Sequence, residues 1–404
     1  MKDSAHRRGQ LTTWLAAIVL SACQVAPPGS ARQTDPAPPS PLAFDDAVLA
    51  AANDLLKKAG TSASINQGQT LVIDPLVDGV TGTRSIATRS MEQKIVDLVR
   101  RDHTRFAVAE FSTASLARQP LVLVGTFTPI NQAAGQPVGE RDAFRICLAL
   151  ADLKTGKVIA KGVARARPTG VDLAPLPFDA DSPAWTRDPA SEGYIKTCQG
   201  SKAGDPINPV YAERILAAAL INDATRAYNA RRYQESLELY HSALRTPGGD
   251  QLRAHNGVYL ANWKLKRHDE ATRAYARIVD YGLANRQLSV KFLFRPGSTQ
   301  FWPDPQISGP YPIWLNQIAQ RSAQSKACLE IVGHTSHSGP EPLNERLSLL
   351  RAQTIKDRLE LAAPQLARRS IANGAGSREN LVGTGADDAS DVLDRRVEFK
   401  VIGC

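Results

Sequence analysis

The run from Gly333 to Ala352 decides how the C-terminal part of this chain folds. It reads Gly333-His334-Thr335-Ser336, then Gly339, Asn344, Leu347-Ser348 and Arg351-Ala352. Just before it, Cys328-Leu329-Glu330-Ile331-Val332 alternates like a strand. From Asn344 to Leu361, the residues Leu347, Leu350, Ile355 and Leu359 fall at helical spacing. A strand that breaks at a glycine and feeds a helix leaves a polar pocket at the turn. Asn344 and Arg351 are expected to point back toward it.

Further out, Asp394-Arg395-Arg396-Val397-Glu398-Phe399 adds a last motif near the chain end. Together, over residues 287–404, these motifs resemble the OmpA-like C-terminal domain, the periplasmic peptidoglycan-binding module. The resemblance implies a βαβαβ fold that holds the diaminopimelate residue of the peptidoglycan stem peptide. In that family a carboxylate just after the Gly-His-Thr turn takes the ammonium, and an arginine on the following helix takes the carboxylate. A zwitterion needs such opposite charges a few ångströms apart. Arg351 stands at the arginine position, and Ser336 stands where the family has its acid. The resemblance also gives Thr335 and Asn344 the shaping of the pocket, and Arg395 or Arg396 its support from the last strand. A serine cannot balance an ammonium, and losing a charge-assisted bond costs about 1.5–3 kcal/mol, about ten- to a hundredfold in affinity. Glu341, read as a loop residue, either swings in or is simply solvated.

The N-terminal residues read as a targeting segment. Lys2, Arg7 and Arg8 precede a short apolar core from Leu11 to Leu20, too short for the ~20 residues a bilayer span needs. Leu20-Ser21-Ala22-Cys23 matches the bacterial lipobox, which implies residues 1–23 as signal peptide and Cys23 as the lipidated residue. Acyl chains such as palmitate, at about 0.8 kcal/mol per buried methylene, would anchor it. Gln24 at the next position resembles lipoproteins sorted to the outer membrane, on its periplasmic face. Residues 24–42, with Pro27, Pro28, Pro36, Pro38, Pro39 and Pro41, read as an extended tether of at most about 60 Å.

The 49 basic against 40 acidic side chains give a net charge of +9. The export signal argues against nucleic acid as partner, so weak attraction to the acidic wall or to anionic head groups is the better reading. Besides Cys23, Cys147, Cys198, Cys328 and Cys404 remain. In an oxidising periplasm they suggest two disulfides, with within-domain pairing giving Cys147–Cys198 and Cys328–Cys404; three connectivities stay open. No CxxC occurs, and His334 and His337 sit on a loop, so no metal site is expected.

Fold class along the chain is α/β and α, multi-domain. Residues 43–208 read as a mixed α/β domain. It opens with a helix through Phe44, Val48, Leu55 and Leu56 and a strand at Thr70–Ile73. A second helix runs through Ile95 and Leu98, and strands follow at Phe106–Phe111 and Leu121–Phe127. A hairpin then turns at Lys154-Thr155-Gly156. The phrases Ile73-Asp74-Pro75, Thr81-Gly82-Thr83 and Asp152–Ile159 resemble the outer-membrane lipoprotein activators of penicillin-binding proteins and related curli-secretion and flagellar assembly proteins. Residues 168–208, rich in proline, read as a long loop carrying Trp185 and Tyr194. Residues 209–285 are helical. Arg232–Ser236 with Tyr240 returns as Arg267–Ala271 with Tyr275, resembling two tetratricopeptide repeats that would pack on a neighbouring domain.

No GxSxG, Walker loop or HExxH occurs, so no enzyme, catalytic residue or cofactor is expected. The sequence therefore points to an outer-membrane lipoprotein that binds peptidoglycan non-covalently and scaffolds a periplasmic protein partner. The alternative is an activator of a peptidoglycan synthase, or an accessory of a secretion or assembly system, that no longer binds wall. A wall hydrolase is a third reading without support.

Overall fold

A computed structural model describes residues 40–61, 65–383, 385 and 393–404. The expected signal segment, Cys23 and nearly all of the expected tether lie outside the described residues. Among the described residues, no helix is long and apolar enough to cross a membrane.

The first layer is built around β4 (Leu121–Ile130), which is buried along its whole length. A strand buried on both faces needs a cover on each. Leu121, Leu123 and Phe127 face one core with α1 (Phe44–Gly60) and α2 (Ile86–Asp102), while Val122 and Val124 face another. Beside β4 lie β1 (Gln69–Ile73), β2 (Val77–Asp78), β3 (Phe106–Ala109), β5 (Ala143–Asp152) and β6 (Lys157–Ala166), with a short α3 (Thr113–Leu116) between β3 and β4. The strand order is β3-β1-β4-β5-β6, with β2 pairing β4. Pairing is parallel from β3 to β4 and antiparallel in the β4-β5-β6 meander. Helix α2 starts at a capping box between Ser85 and Thr88, which satisfies two backbone donors at once.

The second face of this sheet corrects the expectation of a long loop over 168–208. The segment holds α4 (Pro177–Asp181), β7 (Ala184–Trp185) and α5 (Pro189–Gln199). Pro177 and Pro189 open their helices, where a missing N–H costs nothing; prolines that read as breakers are helix starts. From α5, Tyr194 and Cys198 pack on Val122, Val124 and Cys147. The Tyr194 hydroxyl accepts from the Gly125 N–H at 2.9 Å and donates to the Pro75 carbonyl at 3.0 Å. Trp185 instead leaves with β7, which pairs with the C-terminal sheet, and its Nε1–H donates back to the Thr81 carbonyl at 2.7 Å.

Four helices follow: α6 (Pro209–Asn229), α7 (Tyr233–Arg245), α8 (Leu252–Lys264) and α9 (His268–Ala284). Ser236 and Ala271 are fully buried where helices cross, and Tyr240 and Tyr275 fill the space beside them. Arg231 and Lys266, before α7 and α9, share the same left-handed φ of 62°, so the sequence repeat is also a backbone repeat. At about 1.5 Å per residue α6 is roughly 30 Å long and serves two cores. Tyr211, Ile215 and Ala219 lie against the first sheet, while Ile221, Ala224 and Tyr228 join the second core.

The C-terminal part comprises β8 (Gln287–Val290), α10 (Pro305–Ser308), α11 (Tyr311–Gln324), β9 (Cys328–Gly333), α12 (Glu341–Ala362), β10 (Ser370–Gly374) and β11 (Val397–Ile402). The sheet order is β10-β9-β11-β8-β7. The expected βαβαβ order thus carries one further strand of its own and an edge strand, β7, from the preceding segment. One hydrophobic core runs from Tyr240 and Tyr275 through Trp314 to Ile355 and Phe399, so residues 209–285 and 287–404 share an interior. Trp314 stacks on Tyr275 at 5.5 Å and donates to the Tyr259 hydroxyl at 2.8 Å.

Candidate functional site

The turn after β9 is where the sheet meets α12. Its backbone is fixed from three sides. The Thr335 N–H donates to the Gly376 carbonyl (2.9 Å) and the His334 N–H to the Arg396 carbonyl (3.0 Å). The Asn344 amide donates to the carbonyls of Ser338 (3.0 Å) and Gly339 (3.3 Å). Asn380 closes the fourth edge. With its amide oriented to satisfy both ends, it donates to the Ser377 and Thr335 carbonyls and accepts from the His337 N–H. Asn344 therefore shapes the turn by bonding its backbone.

Each of the sequence candidates has a definite place. Ser336 is 5 % exposed, its hydroxyl 3.1 Å from that of Ser338. The Thr335 hydroxyl is buried with no hydrogen-bond partner among the described residues. Arg351 is 7 % exposed: its Nε–H donates to Ser298 O (3.1 Å), its Nη2–H to Arg295 O (3.2 Å), and its guanidinium lies 4.9 Å from the Phe294 ring centroid. Two carbonyls and an aromatic face fix the plane of the group.

The helix that carries Arg351 differs from its expected pattern. Its buried positions are Asn344, Ser348, Arg351, Ala352, Ile355 and Leu359. Leu350 is exposed, as are Leu343 and Leu349. The leucines suggested an apolar face, but the first half of α12 turns polar groups inward. Glu341 is not a loop residue either. It is the first residue of α12, and its carboxylate accepts from the Ser377 N–H at 3.2 and 3.3 Å and from the Ser377 hydroxyl. Those bonds tie it to the neighbouring loop.

Below the turn lies a buried ionic group. The His334 ring faces the Glu398 carboxylate at 3.3 Å, and the Arg396 guanidinium stands 3.9 Å from the same carboxylate oxygen. Burial pushes the Glu398 carboxyl up, but His334, Arg396 and the Gln287 amide outweigh it and hold it well below the usual carboxylate range. Burial pulls the His334 pKa down, although the Glu398 carboxylate beside it works the other way. Arg396 donates to the Glu379 and Leu393 carbonyls at 3.3–3.4 Å, so it supports the surrounding loop from beneath. Arg395, half-buried, precedes it. His334, Glu379 and Glu398 bring ligand atoms within 4.8 Å of one another, but the Arg396 guanidinium already supplies the positive charge there.

Several organising residues had no sequence assignment. Asp394 is fully buried, and its carboxylate accepts from the N–H groups of Leu381 (2.6 Å), Val382 (2.9 Å) and Gly383 (2.7 Å). It was visible only as the first letter of the last motif. Arg141, from the connection between β4 and β5, reaches the same loop, donating to Val382 O at 3.4 Å and Asn380 O at 3.5 Å. No local pattern marks that long-range contact.

Of the cysteines, Cys328 is bonded to Cys404, which ties the start of β9 to the chain end. Cys147 and Cys198 are not bonded: they are two buried thiols, the Cys147 Sγ–H donating to the Cys198 carbonyl at 3.0 Å. The expected second disulfide is therefore absent from this structure, and α5 is held to the sheet by packing and by Tyr194 instead.

No protein-family model matches the chain, and no curated protein matches it. Part of the chain is similar to solved structures. One is the peptidoglycan-associated lipoprotein from Burkholderia pseudomallei, at 25% identity and TM-score 0.24, over 30% of this chain and 93% of that one. Another is the cell wall anchor of the T6SS from Pseudomonas aeruginosa, at 25% identity and TM-score 0.25, over 31% and 94%. A third is an outer membrane protein from Borrelia burgdorferi B31, at 23% identity and TM-score 0.22, over 29% and 88%. The likeness is to OmpA-like, peptidoglycan-associated domains, over about three tenths of this chain.

Proposed function

We propose that the C-terminal part binds peptidoglycan non-covalently at the turn after β9, and that a lipid on Cys23 holds the chain at the outer membrane. The protein would then link membrane to wall and present its middle helices to a periplasmic partner. One observation supports this reading: beside the inward, polar face of α12, whose Asn344 and Arg351 are already hydrogen-bonded, the Thr335 hydroxyl is buried with no hydrogen-bond partner among the described residues. Burying polar groups costs free energy unless they are bonded. A ligand with its own donors and acceptors would offset that cost. Arg351, held flat by Phe294 and two carbonyls, would take a carboxylate of diaminopimelate. Ser336 offers the ammonium only a neutral acceptor, which makes the binding weak.

The test is co-sedimentation of the chain from Gln24 onward with purified diaminopimelate-type sacculi, beside Arg351→Ala and Ser336→Asp. Wild type should pellet, Arg351→Ala should not, and Ser336→Asp should bind more tightly. Wild type remaining in the supernatant while only Ser336→Asp pellets would overturn wall binding by the natural chain.

A second reading, an activator of a wall synthase or an accessory of secretion or assembly, has its own support. A groove of about 650 Å³ opens across α7, α8 and α9, edged by Arg267, Arg273, Arg277 and Glu270. That volume lies within the ordinary range of ligand-binding clefts. A synthase co-purifying with the full chain, and lost on charge reversal at Arg273 and Arg277, would favour this reading.

A further inference from the structure

The outer face of α12 carries a row of leucines that the described residues leave uncovered. Leu343 is 64 % exposed, Leu350 46 % and Leu361 87 %, and Ile371 stands exposed on the adjacent edge strand β10. Single leucines scattered over a surface need no explanation, but these stand in order. Leu343, Leu347, Leu350, Thr354, Asp357 and Leu361 follow one another at alternating spacings of four and three. That is the a and d pattern of a two-helix seam. It is turned away from Ser348, Ala352, Ile355 and Leu359, which are buried against the rest of the chain.

The register of the row selects its occupant. Laid antiparallel against a second copy, with a positions opposite d positions, Leu343 meets the partner's Leu361 and Leu350 meets the partner's Thr354. Half-buried Leu347 then faces the partner's Asp357. The same register brings Arg346 to the partner's Asp357 and Glu360. Arg346 is exposed and has no ion pair or hydrogen bond among the described residues. Both acids already have one neighbour: Glu360 pairs with Lys356 at 2.5 Å, and Asp357 accepts from the Gln353 amide at 2.7 Å. Arg346 therefore joins two acids to one further base, and two-fold symmetry makes the contact twice. A parallel pair would instead set Asp357 against its own copy inside the seam, a like-charge contact.

A lipid surface is the other cover for a row of leucines on a helix. Helices that lie on membranes flank the apolar stripe with lysine and arginine. Here Glu345, Asp357 and Glu360 stand among Arg346, Lys356 and Arg358, so the flanks match a copy of themselves better than anionic head groups. We propose that the outer face of α12 is a self-association surface on which two copies of this chain pair antiparallel. From Leu343 to Leu361 the seam is about 27 Å long at about 1.5 Å per residue, a size that suits a weak, reversible dimer. The pairing sets the turns after β9 of the two copies at opposite ends of the seam. Two weak wall sites would then act together on one sacculus. That benefit rests on the wall-binding reading; the pairing itself does not.

The test is sedimentation velocity of the chain from Gln24 onward, which keeps every described residue, without wall or lipid and from about 1 to about 200 µM. Wild type should pass from monomer to dimer in that range, and Leu350→Glu should weaken the dimer at least tenfold. Cross-linking with copper phenanthroline reads the orientation. The native thiols are buried or already bonded, so an introduced cysteine is the one that reacts. Gln353 lies beside its own copy at the two-fold axis, so Gln353→Cys should link. Leu343→Cys should not link alone but should link when mixed with Leu361→Cys. A monomer throughout, a dimer indifferent to Leu350→Glu, or Leu343→Cys linking to itself as fast as Gln353→Cys each overturns the proposal. So does a monomer that floats with phosphatidylglycerol vesicles and is released by Leu350→Glu, which would give the face to a lipid surface. Leu343, Leu350, Gln353 and Leu361 are all exposed, so these substitutions leave the core untouched.

Discussion

The backbone of Ser348 passes so close over Gly333 that a Cβ on the glycine would come 2.0 Å from the Ser348 carbonyl oxygen. This contact seats α12 on the end of β9 and so sets where Arg351, further along the same inward face, can stand. Gly333→Ala must push helix from strand. We expect a loss of about 1–3 kcal/mol in urea unfolding, as for other overpacked sites, and weaker sedimentation with sacculi. An unchanged midpoint with unchanged sedimentation would show that this approach is not needed.

Arg351→Lys keeps the positive charge but loses the planar fork and the stacking on Phe294. Binding to sacculi should fall about tenfold or more, while stability drops by no more than about 1–2 kcal/mol. Sedimentation equal to wild type would mean that charge alone suffices at this position.

Asp394→Asn replaces a carboxylate that collects three backbone N–H groups by an amide with one acceptor oxygen. Hydrogen bonds to a charged acceptor are worth about 1.5–3 kcal/mol each in isolation and are not additive, so a net loss of about 2–4 kcal/mol is expected. Hydrogen exchange should report it first at Leu381, Val382 and Gly383. Protection there equal to wild type would remove Asp394 as the organiser of this loop.

Asp74 links stability to pH. Burial raises its pKa to about 7, although the Tyr211 hydroxyl, donating at 2.8 Å, pulls the other way. Unfolded, the carboxyl titrates near 4, so between about pH 4 and 7 the folded chain holds a proton that the unfolded chain releases. Its contribution is full below pH 4 and fades as pH rises through 7, by about 2–4 kcal/mol in all. Asp179, raised by burial to about 6, acts in the same direction. Urea midpoints of wild type and Asp74→Asn should diverge between pH 5 and pH 8. Parallel curves would place the proton elsewhere.

The Cys328–Cys404 bond closes a long loop, and Cys404→Ser should cost about 2–5 kcal/mol. Thiol titration of the unfolded, unreduced chain should find Cys147 and Cys198 reactive, with Cys328 and Cys404 unreactive. Both thiols are buried in the native state, which bars the reagent, so both should be silent before unfolding. Four reactive thiols after unfolding would contradict the observed bond.

Much of the chain is legible one segment at a time. Alternation and helical spacing found β1, β4, the β5–β6 hairpin and α2, because these patterns are imposed by the very faces the elements bury. The return of Ser236 and Tyr240 as Ala271 and Tyr275 likewise exposed a repeat in the helices, since each pair meets the same packing constraint. The motifs around Gly333 and Arg351 located a strand, a turn and a helix.

Where side chains converge is a different matter. The prolines at 177 and 189 read as loop because a proline's helix-start role depends on what precedes it in space. Leu350 suggested the buried face of α12, yet Asn344, Ser348 and Arg351 face inward, because backbone groups of the neighbouring loops, at Ser338, Gly339, Gly376, Arg295 and Ser298, are there to bond them. Asp394 reaches backward to Leu381–Gly383, and Arg141 reaches the same loop from far along the chain. A cavity lined by Asp78, Arg84, Asp179 and Lys291 draws its walls from three separated segments. Local sequence therefore determined which elements form, since that follows from backbone preference and from one face each. Tertiary structure alone decided which polar groups are buried together, because burial depends on contacts between residues far apart in the chain.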